Sequence, residues 1–378
     1  MDKELAQSVI KHFSNLKDPR INRKKLYPLM EIIFVVLCGS ICGAESWRDF
    51  VIFGNGKVEF LRQYFHFKNG IPSKNTFARV FSALCPEAFK SCFIEWVKSL
   101  QENLKDIIAI DGKTLRGSFD TTKGQSAIHM VSAFATQAKL VLGQQKVSDK
   151  SNEITAIPLL LEMLELKGSI ITIDAMGCQK TIAKKIIEEE ADYVFSLKGN
   201  HGTLHEDVEL FFKTECDKNE SKFIIDQCEE TDAGHGRIEK RECWATDKID
   251  WLEQKDEWKG LNAIVMIKET REKGDKKSIE RHFFITSLPA NSKLIASAVR
   301  AHWKIENTLH WTLDMTFRED ASRIREKNAS ENMAIIRHTA LNMLKNAKKS
   351  MKEMSIKALR KLAGWRNDTL ELVLQQNF

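Results

Sequence analysis

From Leu5 to Gln101 apolar residues recur at helical spacing. Tyr27-Pro28 opens a long apolar helix, and Pro72-Ser73 stands at the head of another carrying Phe77, Val80, Phe81 and Leu84. Pro86 ends that run, after which Phe89, Phe93, Trp96 and Val97 repeat the pattern. Residues 1–103 therefore read as a helical N-terminal domain with an aromatic core.

The period changes at Asp106. Ile107 to Ile110 is a short apolar strand ending in Asp111-Gly112, and Ile128–Phe134 and Lys139–Val147 are two more strands. A helix over Ile154–Leu166 precedes the strand Ser169–Ile173, which ends in Asp174. A helix at Gln179–Glu190 and a strand at Tyr193–Leu197 follow. Three strands in succession, then helix, strand, helix, strand, predict a mixed sheet with helices on its faces over 104–199. Residues 200–290 break the rhythm. A helix at Leu204–Phe212 leads into strands at Lys222–Cys228, Ile238–Thr246, Ala263–Lys268 and Arg281–Ile285, separated by charged turns such as Glu272-Lys273-Gly274-Asp275. From Ser292 one helix is expected through Glu306 to about Leu313 and another over Glu331–Lys345, the stretch 291–345 closing the sheet domain. Residues 346–378 read as a basic helical tail.

Charge changes this picture. Residues 1–103 carry 15 basic and 10 acidic side chains, 104–320 carry 31 and 37, and 321–378 carry 12 and 5. Basic flanks around an acidic middle suit a protein that grips a polyanion with its ends, and equally suit ordinary solvated helix faces. The longest apolar run, Ile32 to Ala44, has 13 residues and is too short to span a bilayer. Eight cysteines form no CxxC pair. A reduced, cytoplasmic chain with no membrane partner is expected.

Asp111 and Asp174 each follow an apolar run and precede a small residue, so each is expected at the C-terminal end of a buried strand, where open sheets bind ligands. Either aspartate alone could simply cap a turn. Two carboxylates on neighbouring strands repel unless a cation lies between them, and oxygen ligands of that kind suit magnesium. His302, Glu306, His310 and Asp314 recur every four residues and share a helix face, which could present Glu306 to the sheet edge or simply face solvent.

Three stretches carry a specific resemblance: Ile110-Asp111-Gly112-Lys113-Thr114-Leu115-Arg116-Gly117, Ile173-Asp174-Ala175-Met176-Gly177-Cys178-Gln179, and His302-Trp303-Lys304-Ile305-Glu306-Asn307. Together with Tyr193 to His201, Gly236-Arg237-Ile238-Glu239 and, at the front, Asp18-Pro19-Arg20, Gly70-Ile71-Pro72-Ser73 and Thr76-Phe77, they resemble the DDE transposases of bacterial insertion sequences, in the H-repeat-associated subgroup. The resemblance implies a ribonuclease-H-like α/β fold with a strand-rich insertion at 200–290. It implies Asp111, Asp174 and Glu306 as a triad holding two Mg2+ ions, with Mn2+ a possible substitute. The implied partner is double-stranded DNA, both element ends and target, bound by a homodimer. Where the wider family surrounds its glutamate with Tyr, Arg and Lys, this chain has Val299, His302 and Leu313.

On that reading Lys113, Arg116 and Lys198 would hold phosphates. Asn200, Arg237, Arg300, His302, Lys304 and His310 are further candidates for DNA contact. Trp303 is expected in the core, with stacking on a displaced base as the alternative. The N-terminal helices and the tail would read the terminal repeats. A nuclease that cuts without joining, and a DNA-binding relic whose catalysis has lapsed, stay open. Gly112-Lys113-Thr114 imitates a phosphate loop, but Ile107 occupies the place of its first glycine. His201 and His205 lack the His-Glu-x-x-His order of a zinc hydrolase.

Overall fold

The computed structural model describes residues 4–100, 104–119, 124, 126–148, 151–216, 223, 226–234 and 236–375. The N-terminal helices are α1 (Glu4–Phe13), α2 (Leu29–Ile41), α3 (Trp47–Gly56), α4 (Val58–Leu61), α5 (Lys74–Ala83) and α6 (Pro86–Leu100). Gln101, the expected end of the helical stretch, lies outside the described residues. Helix α2 begins after Pro28, whose fixed φ suits a helix start, and is buried on nearly every side. Ser46 and Asp49 form a reciprocal capping box that opens α3.

Among the described residues nine strands form one sheet: β1 (Ile107–Leu115), β2 (Ile128–Ala135), β3 (Leu140–Lys146), β4 (Ile170–Ile173), β5 (Asp192–Leu197), β6 (Asp226–Gly234), β7 (Arg237–Thr246), β8 (Ala263–Lys273) and β9 (Lys276–Thr286). Their order is β3-β2-β1-β4-β5-β9-β8-β7-β6. Strands β1, β4 and β5 run parallel and β2 antiparallel, the mixed sheet of a ribonuclease-H-like core. Between them lie α7 (Glu153–Leu161), α8 (Lys180–Glu188) and α9 (Thr203–Glu215). The insertion does not stand apart: β9 pairs with β5 through Val194↔Thr286 to Leu197↔Phe283, so β6–β9 continue the core sheet.

Two expectations are corrected here. Strand β1 does not stop at Ile110 but runs to Leu115, because its antiparallel pairing with β2 outlasts its parallel pairing with β4. Strands β8 and β9 reach well beyond their apolar segments, since their ends are held by cross-strand pairing rather than burial. Of the strand expected at Lys222–Cys228, Lys222 and residues 224–225 lie outside the described residues, and β6 runs on to Gly234.

The single helix expected over 292–313 is divided into α10 (Ser292–His302), a π-helical segment Ile305–His310 and α11 (Trp311–Met315). Then come α12 (Ala329–Ala347), α13 (Ile356–Trp365) and α14 (Asn367–Gln375). Helix α12 is buried almost throughout and joins the two ends of the chain to the sheet. Asn332 donates to the Phe81 and Leu84 carbonyls, and Asn342 both accepts from and donates to the Val141 backbone at 2.9 Å. The N-terminal helices, the core strands and the C-terminal helices thus share one hydrophobic core.

Candidate active site

The site follows from strand register. Parallel pairing of β1 with β4 ends at Ile110↔Ile173, so Asp111 and Asp174 are the next residues on adjacent strands. Asp111 continues within β1 opposite Ser132, whereas Asp174 begins a turn. The Asp174 Oδ1 accepts from the Met176 and Gly177 amides at 3.0 and 3.2 Å, so this aspartate does cap a turn. Asn200 Nδ2 donates to the Ala175 carbonyl at 2.9 Å and braces that turn from the following strand end.

Glu306 enters from the helix above. In an unbroken α-helix, four-residue steps drift by about 40° each, so His302 and Asp314 would diverge by about 120°. The wider π turn winds back part of that drift, and π-helical turns concentrate at functional sites. All four polar side chains accordingly meet the sheet edge. His302 Nδ1 lies 3.1 Å from Thr172 Oγ1, His310 Nδ1 lies 3.5 Å from Asp111 Oδ2, and Asp314 binds the Lys113 ammonium. Glu306 joins Asp111 and Asp174 in a cleft of about 860 Å³.

Electrostatics mark this corner. Burial raises the Asp111 pKa to about 7; the Gly112 amide opposes the shift, and the charges of Glu153, Asp174 and Glu306 add to it. Burial lowers the His310 pKa to about 4, and among the described residues its Nε2 has no hydrogen-bond partner. Among the described residues no three His, Cys, Asp or Glu side chains are drawn close enough to ligate one ion together. The donor set itself suits a hard divalent cation: three carboxylates around one cleft, one of them driven toward protonation when no cation offsets its neighbours.

Residues 102–343 match the family model described as "Transposase DDE domain", and residues 10–97 the one described as "DDE_Tnp_1-associated". The chain belongs to the DDE transposases. It is 44% identical over 347 residues to "Putative transposase YncI" of Escherichia coli O157:H7, covering 90% of this chain and 88% of that one. It is 42% identical over 348 residues to "H repeat-associated putative transposase YhhI" of Escherichia coli K12, covering 90% and 91%. Among solved structures, the cryo-EM piggyBac transposase synaptic complex with hairpin DNA aligns at a TM-score of 0.42 and 11% identity, over 98% of this chain and 77% of that one.

The transposase's expected phosphate contacts fall into two groups. Lys198, Arg237, Arg300, His302, Trp303 and Lys304 line the cleft with the three carboxylates. Trp303 is 51% exposed rather than in the core, and Trp311 and Met315 farther along the same stretch are exposed as well. Arg300 is held by Glu230 and Asp232, and Arg237 by Glu239 at 2.7 Å. Arg116 is exposed near Asp320. Lys113, by contrast, is buried under Asp314, Glu319 and Asp320, where it neutralises a network rather than facing the cleft. His310 is likewise buried against Asp111.

Sequence reasoning missed His129 and Glu153. His129 Nε2 lies 2.6 Å from Glu153 Oε1, and its Nδ1 lies 2.9 Å from Thr114 Oγ1. This pair sits where a Cβ on Gly112 would be, so the glycine after Asp111 supplies space for it. The signal available was Asn152-Glu153 at a helix start, where acidic residues commonly stand for local reasons.

Proposed function

We propose that this transposase cleaves the ends of its element and joins the released DNA 3′-hydroxyl to target DNA at one site. Water oxygen forms a bond to phosphorus as the bond to the 3′-oxygen breaks, freeing a 3′-hydroxyl. That hydroxyl then attacks a target phosphodiester, breaking one phosphorus–oxygen bond for the one it forms. Each step exchanges one such bond for another, so neither a covalent enzyme intermediate nor a nucleotide triphosphate is required.

Asp111, Asp174 and Glu306 would hold the divalent ions, Mg2+ or Mn2+, which when bound supply Lewis acidity to an in-line displacement. Lys198, Lys304 and Arg237 orient phosphates from the cleft walls, and Trp303 offers a half-exposed ring on which an unpaired base can stack. Asn200 keeps the turn after Asp174 in place. Two element ends must be joined together, so a homodimer on double-stranded DNA is the working unit.

The observation that carries this reading is the register ending at Ile110↔Ile173, which sets two aspartates side by side in the cleft that also receives Glu306. It is tested with protein, magnesium and DNA carrying the element's own ends. Joined products are expected, and Asp174→Ala should abolish them while sparing DNA binding. Cuts without joining would indicate a nuclease, and binding without cuts a relic. Persistent joining by Asp174→Ala would remove the triad.

A further inference from the structure

The cleft extends past the carboxylates along one face of the insertion strands, and that face has a chemistry of its own. Side chains alternate along a strand, so Arg237, Glu239, Arg241 and Cys243 of β7 share a face. Register places Arg271 opposite Glu239, and Glu269 opposite Arg241, on β8. At its apolar end, around Cys243, Ile267 and Phe284, this face packs with Ala298 and Ala301 of α10. Its charged end lines the same cleft as Asp111, Asp174 and Glu306.

The opposite face of the same strands carries lysines. Lys240 reaches Glu229 at 2.9 Å and Glu242 at 3.3 Å, and Lys268 reaches Glu242 at 3.0 Å. Cross-strand pairs of this kind suffice to hold a solvated ladder. The cleft face uses arginine instead, with Arg237, Arg241 and Arg271 set among Glu239, Glu269 and, on β9, Glu280, which lies 3.9 Å from Arg271. Three guanidiniums converge on the single carboxylate of Glu239: Arg237 at 2.7 Å, Arg271 at 3.5 Å, and Arg241 in direct hydrogen bond. Glu269 takes Arg271 at 2.7 Å and Arg241 at 3.4 Å.

Each guanidinium has five N–H donors in a planar fork, and the carboxylates do not use them all. Among the described residues Arg241 Nη1 is shielded from solvent and has no hydrogen-bond partner, and Arg271 Nε, also shielded, meets Glu239 Oε1 only at the long distance of 3.5 Å. A shielded, unused donor costs free energy that a ladder built only for stability would avoid. Phosphate matches the fork bidentately and offers more acceptor oxygens than a carboxylate.

We propose that Arg241 and Arg271, with Arg237, form a phosphate-binding row for the backbone of DNA leaving the acidic corner, and that Glu239 and Glu269 occupy the row until DNA displaces them. The proposal rests on the reading of this cleft as the DNA site. The carboxylates stand in for phosphates in the free protein, so the row is preorganised but nearly neutral. A DNA backbone that reaches the row exchanges places with Glu239 and Glu269, displacing their carboxylates from the guanidiniums.

Equilibrium binding of the full chain to a mixed-sequence DNA duplex, followed by fluorescence anisotropy over a salt series without divalent ions, tests this. The double variant Arg241→Gln/Arg271→Gln should bind more weakly and lower the slope of log affinity against log salt by about 2, one for each lost phosphate contact. Glu269→Gln should tighten binding by about three- to tenfold. Arg271→Lys, which keeps the charge but not the fork, should keep the slope and lose affinity. If variants that retain the wild-type circular dichroism also retain its slope and affinity, the row is only a structural ladder and the proposal fails alone. If the wild-type protein shows no salt-dependent DNA binding, the reading of the cleft fails with it.

Discussion

Strands β1–β5 and β6–β9 belong to one sheet yet handle charge in opposite ways. In the core half, Ile107 to Ile110 and Tyr193 to Phe195 are buried under helices on both faces. The acidic charge buried deepest there sits in a closed network: Glu319 lies between Lys113 at 2.9 Å and Arg337 at 3.3 Å. Burial alone would raise the Glu319 pKa, but Lys113, Arg337 and His338 bring it down to about 2. In the insertion half, Arg237 is exposed, Arg241 and Glu269 are half-buried, and the buried Glu239 is shared between arginines along a ladder that opens on the cleft. On the proposal above, an ion pair walled in by the core is structural, whereas one that opens on the cleft can be traded for a ligand.

The sharpest way to break that contrast is to remove one acid from each half. Glu319→Ala leaves the buried Arg337 without its carboxylate and takes one of three from Lys113, and should cost about 3–5 kcal/mol in urea unfolding. Glu269→Gln removes a carboxylate that water and neighbouring side chains can replace, and should cost less than about 1 kcal/mol. Similar losses in the two variants would mean that the insertion ladder is as closed as the core network. Because Lys113 lies two residues after Asp111 in β1, Glu319→Ala should also disturb the acidic corner, and Glu269→Gln should not.

Lys345 supplies a second contrast. Its stem reaches the surface of α12, but its ammonium is shielded, unpaired, and 4.3 Å from the Phe134 ring centroid in the core half. Burial, with Lys139 adding to it, lowers its pKa to about 7. An unfolded lysine keeps its proton to about pH 10.4, so between pH 7 and that value the unfolded state binds more protons and stability rises with pH. The destabilisation is full below about pH 7 and vanishes above about pH 10. Lys345→Met should therefore stabilise the protein by on the order of 2 kcal/mol near neutral pH, with the gain shrinking as pH rises. Denaturation midpoints at pH 7 and pH 10 check the sign. A gain independent of pH would mean that packing, not the proton, is responsible.

These contrasts also explain what was legible in the sequence. Asp111 and Asp174 could be read because an apolar run ending in an acid is a local pattern, and buried strands leave that pattern. Spacing put Glu306 on a polar helix face, and the resemblance, not the spacing, set it beside the aspartates. The break in its helix could not be read, since a π turn depends on how His302, His310 and Asp314 meet the sheet. Lys113 looked like a phosphate ligand beside the acids; its true partners, Asp314 and Glu319, are about 200 positions away along the chain. His129 and Glu153 were hidden for the same reason. The outer ends of β8 and β9 escaped detection because polar side chains stand on both faces, even at the buried Thr270, so no alternation of apolar and polar residues announced them.

The smallest expected effect separates two uses of glycine in the two halves. Gly112 in β1 leaves room for His129 and Glu153, and its need is space. Gly274, at the tip of the β8–β9 hairpin, has nothing within 4 Å of its would-be Cβ, so its need is conformational. The last pair is Lys273↔Lys276, leaving a two-residue loop with φ +56° at Gly274. A positive φ at the first loop position is what a primed hairpin turn requires, and it matches the twist of the flanking strands. Gly274→Ala should therefore cost about 1 kcal/mol, all of it local, because alanine resists this backbone region. Gly274→Asn should recover most of that loss, since asparagine tolerates the left-handed conformation. Amide hydrogen exchange at the ends of β8 and β9 is the appropriate measure, as only the hairpin tip should open faster, by about fivefold in the alanine variant. Equal exchange in the two variants would show that the turn has other ways to close, and that the insertion half is held by its ladder alone.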